Sequence, residues 1–237
     1  MKTICNAVES DKSILVVGAD GVIGQRLLSV FEKQGRHVFG SSRRKIQSEN
    51  KRFFIDLAEN GSQYTLPAGE ISAAFLCASI TSMEFCQLHP KWTRNINIHN
   101  TVNLAKQLLD RGSQIIFLSS NTVFDGKTEF ARETDLVNPQ TEYGLQKAEA
   151  EQKLLSLDKR VSVVRFSKII SPDMPMLNQW IRDLLSGRVI YPFSDKVMAP
   201  LSISFVLELL MLIHDKCVTG IIPVSYTHLT LPTKRIV

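Results

Sequence analysis

Tyr143 and Lys147 stand four residues apart in the run Tyr143-Gly144-Leu145-Gln146-Lys147. That spacing puts both side chains on one face of a helix. A phenol with an ordinary pKa of about 10 exchanges protons poorly at neutral pH. A lysine ammonium beside it favours the phenolate, and the tyrosine then trades a proton with a carbonyl or alcohol oxygen while hydride moves at the neighbouring carbon. The pattern also arises in ordinary exposed helix pairs, so its company decides. Upstream lies Phe117-Leu118-Ser119-Ser120, an apolar run ending in two hydroxyls. A hydroxyl at the C-terminal edge of a parallel strand lies where such sheets bind ligands. Ser120 is the hydroxyl expected to hydrogen-bond the reacting oxygen, and Ser119 reads equally as a strand-end cap.

A second chemical signal is Gly18-Ala19-Asp20-Gly21-Val22-Ile23-Gly24, between an apolar run and an amphipathic segment. Glycines let a backbone turn tightly against a pyrophosphate, and the following helix offers free N–H groups and a partial positive charge. The spacing is G-x-x-G-x-x-G, which a purely structural turn also satisfies. Gly18, Gly21, Val22, Ile23 and Gly24 are the candidate phosphate contacts. Proteins that prefer NAD hold the ribose 2′-hydroxyl with an acid about 20 residues on. Here that stretch reads Gly40-Ser41-Ser42-Arg43-Arg44, with no acid. Ser42 with Arg43 suits a 2′-phosphate, which a guanidinium grips in a fork. The expected cofactor is therefore NADP(H), with NAD(H) as the alternative, and a solvated basic loop remains the plain reading of Arg44 and Lys45. Asp56, with Leu57 beside it, is expected either at the adenine or as a helix N-cap.

These residues need a scaffold that aligns them, and the hydrophobic pattern supplies one. Strands are expected at Ile14–Val17, His37–Gly40, Arg52–Ile55, Ile71–Ala78, Gln114–Leu118 and Val161–Phe166. Helices are expected over residues 21–34, from about Lys91 to Leu109, and over Tyr143–Leu155. The alternation is that of an α/β protein, a Rossmann-like doubly wound parallel sheet. It weakens after Pro172. The expected organisation is a tail over residues 1–12, a dinucleotide-binding domain over 13–171, and a small, partial substrate lobe over 172–223.

Composition excludes several classes. Hydrophobic residues make up 44% and charged residues 22%, a globular profile. The apolar run Phe205–Ile213 is interrupted by Glu208 and is too short to span a bilayer, so no membrane partner is expected. The net charge of +5 is spread among acids without a basic, aromatic-lined stripe, which argues against nucleic acid. Cys5, Cys77, Cys86 and Cys217 show no C-x-x-C spacing, and the histidines form no metal-spaced pair. Reduced thiols, no metal and a cytoplasmic setting are the expectations.

Taken together, GADGVIG, SSNTVFDG and NPQTEYGLQKAEAE resemble the extended short-chain dehydrogenase/reductases, and among them the dTDP-4-dehydrorhamnose reductase branch. The resemblance runs from about Ile14 to Pro223. Val123-Phe124-Asp125-Gly126, Glu133-Thr134-Asp135 and Asn138-Pro139 carry the branch-level likeness. It implies Ser120, Tyr143 and Lys147 as a catalytic triad. It implies Cys77-Ala78-Ser79 alongside the cofactor, and Asn97, with Thr101, Asn103 and Leu104, as the asparagine that props the site. It implies a sugar-nucleotide substrate, reduction of a 4-keto sugar by NADPH, and a homodimer built through helices. A sugar-nucleotide epimerase and a non-catalytic cofactor-binding subunit are the competing readings. The family's serine–threonine–aspartate–tyrosine run is here Ser119-Ser120-Asn121-Thr122, which argues against the 4,6-dehydratases and makes Asn121 and Thr122 substrate candidates. Asp195, in the loop Pro192–Pro200, is a further one.

Residues 224–237, VSYTHLTLPTKRIV, resemble the translation of a transposase-type sequencing adaptor. The expectation is a non-native tail after Pro223, with the reading frame continuing in the natural gene. A natural C-terminal strand and tail is the alternative. On the first reading, the Rossmann part folds and binds cofactor, while turnover of a sugar nucleotide needs the continuing sequence.

Overall fold

A computed structural model of the chain describes residues 12–44, 51–59, 64–127, 131–191 and 199–224. The run around Ile14 becomes β1 (Ser13–Val17), buried at every position. Full burial of consecutive residues is what a strand covered on both faces requires. α1 (Val22–Lys33) follows and turns Leu27, Leu28 and Phe31 inward. β2 (Val38–Ser42), β3 (Arg52–Phe54) and β4 (Ile71–Leu76) come next.

α2 (Met83–Leu88) and α3 (Pro90–Arg94) lead into a π-helical stretch, Asn95–Asn100, and then α4 (Thr101–Asp110). The single helix expected from Lys91 to Leu109 is thus interrupted by a wider turn. Such insertions re-aim side chains and are found at functional sites. β5 (Gln114–Ser120) runs into a short 3₁₀ turn, Asn121–Val123. α5 (Glu142–Leu157) and β6 (Val161–Phe166) complete the alternation.

The seven-stranded sheet has the order β3-β2-β1-β4-β5-β6-β9, and every pairing is parallel. β9 is Gly220–Val224, and it pairs with β6, Val224 lying opposite Phe166. The strand order reverses at β1 and β4, so the ligand crevice of this Rossmann-like sheet opens at their C-terminal ends.

One core lies between the sheet and α1 with α7 (Ile203–Asp215), and includes Leu27, Phe31, Phe75, Val206, Leu210 and Ile213. The other packs α4 and α5 on the opposite face through Leu104, Leu108, Ala150 and Leu154.

Residues 169–224 contribute strands to both sheets. β7 (Ile169–Ile170) and β8 (Leu201–Ser202) form a small second sheet, and α6 (Pro175–Leu185) lies between them in sequence. α7 and β9 return to the main sheet, because the apolar face of α7 covers it beside α1. Cys77 and Cys86 are free thiols, but Cys217 is disulfide-bonded, against the expectation of reduced cysteines throughout. Among the described residues, no helix is long and apolar enough to cross a membrane, and no cluster of metal-ligating side chains occurs.

Candidate active site

The glycine turn is built by close approach. Gly18 has φ +84°, a left-handed conformation that side chains disfavour. A Cβ there would sit 2.8 Å from the Ala78 nitrogen, and one on Gly24 would sit 2.3 Å from the Gly18 oxygen. Helix α1 can therefore seat its first turn directly on the strand-end turn. Its N-terminus has no side-chain cap and no acid in the first turn. The leading N–H groups around Val22 and Ile23, which follow Gly21, are left for an anion. Cys77 closes the other wall of the crevice, its N–H donating to the Val17 oxygen at 2.9 Å. A nicotinamide dinucleotide fits this cradle: a side chain at Gly18 or Gly24 would fill it, and the first turn of α1 carries no acid.

The end of β2 differs from expectation. Ser42 Oγ donates to Asp20 Oδ2 at 2.6 Å, and Arg52 Nη1 donates to Asp20 Oδ1 at 3.2 Å. A carboxylate from the glycine turn thus reaches the end of the second strand. Reading only downstream of the turn misses Asp20. Arg43 and Arg44 are exposed. Asp56 caps locally, accepting from the Ala58 N–H at 2.8 Å in a turn rather than a helix. The Leu57 side chain belongs to the core, and its carbonyl accepts from Asn100 Nδ2 at 2.7 Å.

Tyr143 and Lys147 lie on the inner face of α5, only 8% and 3% exposed. Lys147 Nζ stands 5.8 Å from the Tyr143 ring centroid and 4.5 Å from that of Phe117. It donates to the Leu118 carbonyl at 2.9 Å, which ties α5 to β5 two residues before Ser120. Gly144 allows this docking, since a Cβ there would meet the Thr122 oxygen at 2.4 Å. Ser120 Oγ accepts from the Thr122 N–H at 3.2 Å and from Thr122 Oγ1 at 3.1 Å. A hydroxyl has two acceptor lone pairs and one hydrogen. With both lone pairs engaged, the Ser120 proton is available to a ligand oxygen. Asn121 is exposed beside it. Asp195 lies outside the described residues.

The electrostatics correct one expectation. Burial, with the Cys86 sulfur second, pushes the Tyr143 phenol up to about 12. Burial pulls Lys147 down to about 8, against the opposing pull of Glu151 and the two cysteines. The expected lowering of Tyr143 by its lysine is not found, because desolvation dominates this closed helix face. The phenol is held in its neutral, protonated form. Burial likewise raises Cys77 to about 12, so it is an inert thiol.

Asn97 links the end of β4 to α5. The π turn buries it, and its Oδ1 accepts from the Ile80 N–H at 2.8 Å and from Ser79 Oγ at 3.0 Å. Its Nδ2 donates to Gln146 Oε1 at 2.7 Å. Gln146 in turn donates to Thr93 Oγ1 at 2.8 Å and to Glu142 Oε1 at 3.0 Å. This buried link between the π turn and α5 was legible only as the third x of Y-x-x-x-K. Below it, Glu151 accepts from Ser119 Oγ and pairs with Arg165 at 2.7 Å, both charged side chains being buried. Ser119 is therefore an anchor of that ion pair.

Residues 12–230 match the family model described as RmlD substrate binding domain. Methionine adenosyltransferase 2 subunit beta of Bos taurus is 26% identical over 166 residues, covering 68% of this chain and 49% of its own. The chain thus spans about half the length of the first curated relatives it matches. A dTDP-4-dehydrorhamnose reductase from Bacillus anthracis, solved in complex with NADP, superposes with a TM-score of 0.76 at 17% identity, over 90% of this chain and 74% of that one. MoeE5 in complex with UDP-glucose and NAD gives a TM-score of 0.74 at 24% identity, over 90% of this chain and 76% of that one.

Proposed function

Since the chain belongs to the RmlD substrate-binding family of extended short-chain dehydrogenase/reductases, we propose that it reduces a nucleotide-linked 4-keto sugar with a nicotinamide dinucleotide, NADP(H) preferred. The observation that carries this reading is the buried pair Tyr143–Lys147, docked beside Ser120 at the edge of β5. When bound, the cofactor supplies hydride to the C4 carbon. Tyr143, neutral by burial, gives its proton to the C4 oxygen. Ser120, with both lone pairs held by Thr122, directs its hydrogen to the same oxygen and orients it. Lys147 spends one N–H on Leu118 and has two more for the cofactor's ribose hydroxyls. Asn97 and Gln146 hold α5 against the crevice. Arg43, exposed at the end of β2, supports the NADP(H) preference.

The ligands of similar structures favour this class: one was solved with NADP, and another with NAD and UDP-glucose. Residues Asn121 and Thr122 are proposed to face the sugar, and a soluble cytoplasmic homodimer remains part of the reading. The likeness to methionine adenosyltransferase 2 subunit beta keeps a non-catalytic subunit as the competing reading. Isothermal titration with NADPH, followed by a coupled assay with a 4-keto sugar nucleotide, separates the two. A subunit binds cofactor and consumes none.

A further inference from the structure

The Asp20 carboxylate occupies a place that the sequence around it does not announce. The glycine turn is fastened to the end of β2 by the Gly18 N–H to Ser41 Oγ at 3.0 Å and the Ala19 N–H to the Ser41 oxygen at 2.9 Å. Asp20 therefore lies between the turn that receives a pyrophosphate and the strand end that receives the adenosine ribose. One carboxylate oxygen holds Ser42 at 2.6 Å and the other holds Arg52 at 3.2 Å. The Ser42 oxygen itself accepts the Arg44 N–H at 3.0 Å. The side chains of Arg52 and Asp20 keep 26% and 39% of their surface open. A carboxylate offers about four lone-pair sites, so the two donors leave capacity for a third.

We infer that Asp20 discriminates between the two nicotinamide dinucleotides, accepting from a ribose 2′-hydroxyl and repelling a 2′-phosphate. The inference rests on the dinucleotide reading above and sharpens it. In this chain the acid comes from inside the glycine motif, and the second strand is left to contribute Ser42 and Arg43. Arg43 favours the 2′-phosphate and Asp20 opposes it. Arg52 sets the balance, because its guanidinium offsets part of the Asp20 charge. Both cofactors are accepted, and their ratio is tuned by this ion pair.

The test measures dissociation constants for NADPH and NADH on the 237-residue chain and on two variants, with thermal melts confirming that each folds. Asp20→Asn keeps the shape and removes the charge. Its affinity ratio should move toward NADPH by at least about fivefold, the factor for two unit charges roughly 4 Å apart under bulk-water screening. Arg52→Gln should move the ratio toward NADH. If the ratio is unchanged in Asp20→Asn, or moves toward NADH, the inference is overturned while the dinucleotide reading stands. If the unmodified chain binds neither cofactor, both fall together.

Discussion

The Nζ of Lys147 donates to the carbonyl oxygen of Leu118 at 2.9 Å, so the lysine is held by β5 as much as by its own helix. That bond keeps a buried ammonium in place beside a buried phenol. It also makes the site's protonation readable from outside.

Lys147 titrates near 8 in the folded chain and near 10.5 when exposed. The burial penalty on its charge is present in full below about pH 8 and is relieved as pH rises toward 10.5. Compared with a Lys147→Met variant, the unmodified protein should therefore gain thermal stability between pH 8 and 10.5. Melts at several pH values across that window check this, and a difference that stays flat would remove the buried ammonium. Above pH 10 the raised Tyr143 works in the opposite sense, since stability tied to its neutral form is lost as pH climbs from 10 to about 12.

Tyr143→Phe deletes only a hydroxyl. Reduction should fall by about 10²–10⁴-fold, the usual worth of a positioned proton donor. Cofactor binding should persist, because the glycine turn and Lys147 are untouched. Parallel titration and steady-state assays measure both, and a variant that turns over normally would take the proton-donor role from Tyr143.

Arg43→Ala should weaken NADPH binding and leave NADH nearly unaffected, since only the former presents a 2′-phosphate. Fluorescence titration of the two cofactors reads the difference. Equal losses for both would assign Arg43 to general charge attraction.

The pair Glu151–Arg165 is buried under the site, each side chain being 4% exposed. Glu151→Ala leaves the guanidinium without its carboxylate, with Arg165 still facing the Phe124 ring at 5.0 Å. The expected cost is about 3–5 kcal/mol in urea unfolding, the range for breaking a buried pair. A loss below about 1 kcal/mol would mean that water or a rearranged neighbour compensates.

Much of this was legible in the sequence because it follows from local pattern. The buried run of β1, the glycine turn and the inward face of α1 are written in consecutive residues. So is the one-face placement of Tyr143 and Lys147. What escaped depends on contacts across the fold. Asp20 sits inside a motif read for its glycines, and only the sheet brings it to Ser42. The π turn at Asn95–Asn100 leaves no mark in hydrophobic spacing, although it aims Asn97 at Gln146. The sign of the Tyr143 shift was missed because proximity of a lysine was weighed without the desolvation that the same packing imposes.

The most direct test of the central claim is transfer of a labelled hydride. NADPH deuterated at the reactive carbon is incubated with a nucleotide-linked 4-keto sugar, using the 237-residue chain and any longer product of its reading frame. The account predicts deuterium at C4 of the reduced sugar, one oxidised cofactor per product, and loss of both in Tyr143→Phe. Cofactor that binds but transfers no label in any of these would contradict it, as would C4 inversion with no net oxidation of cofactor.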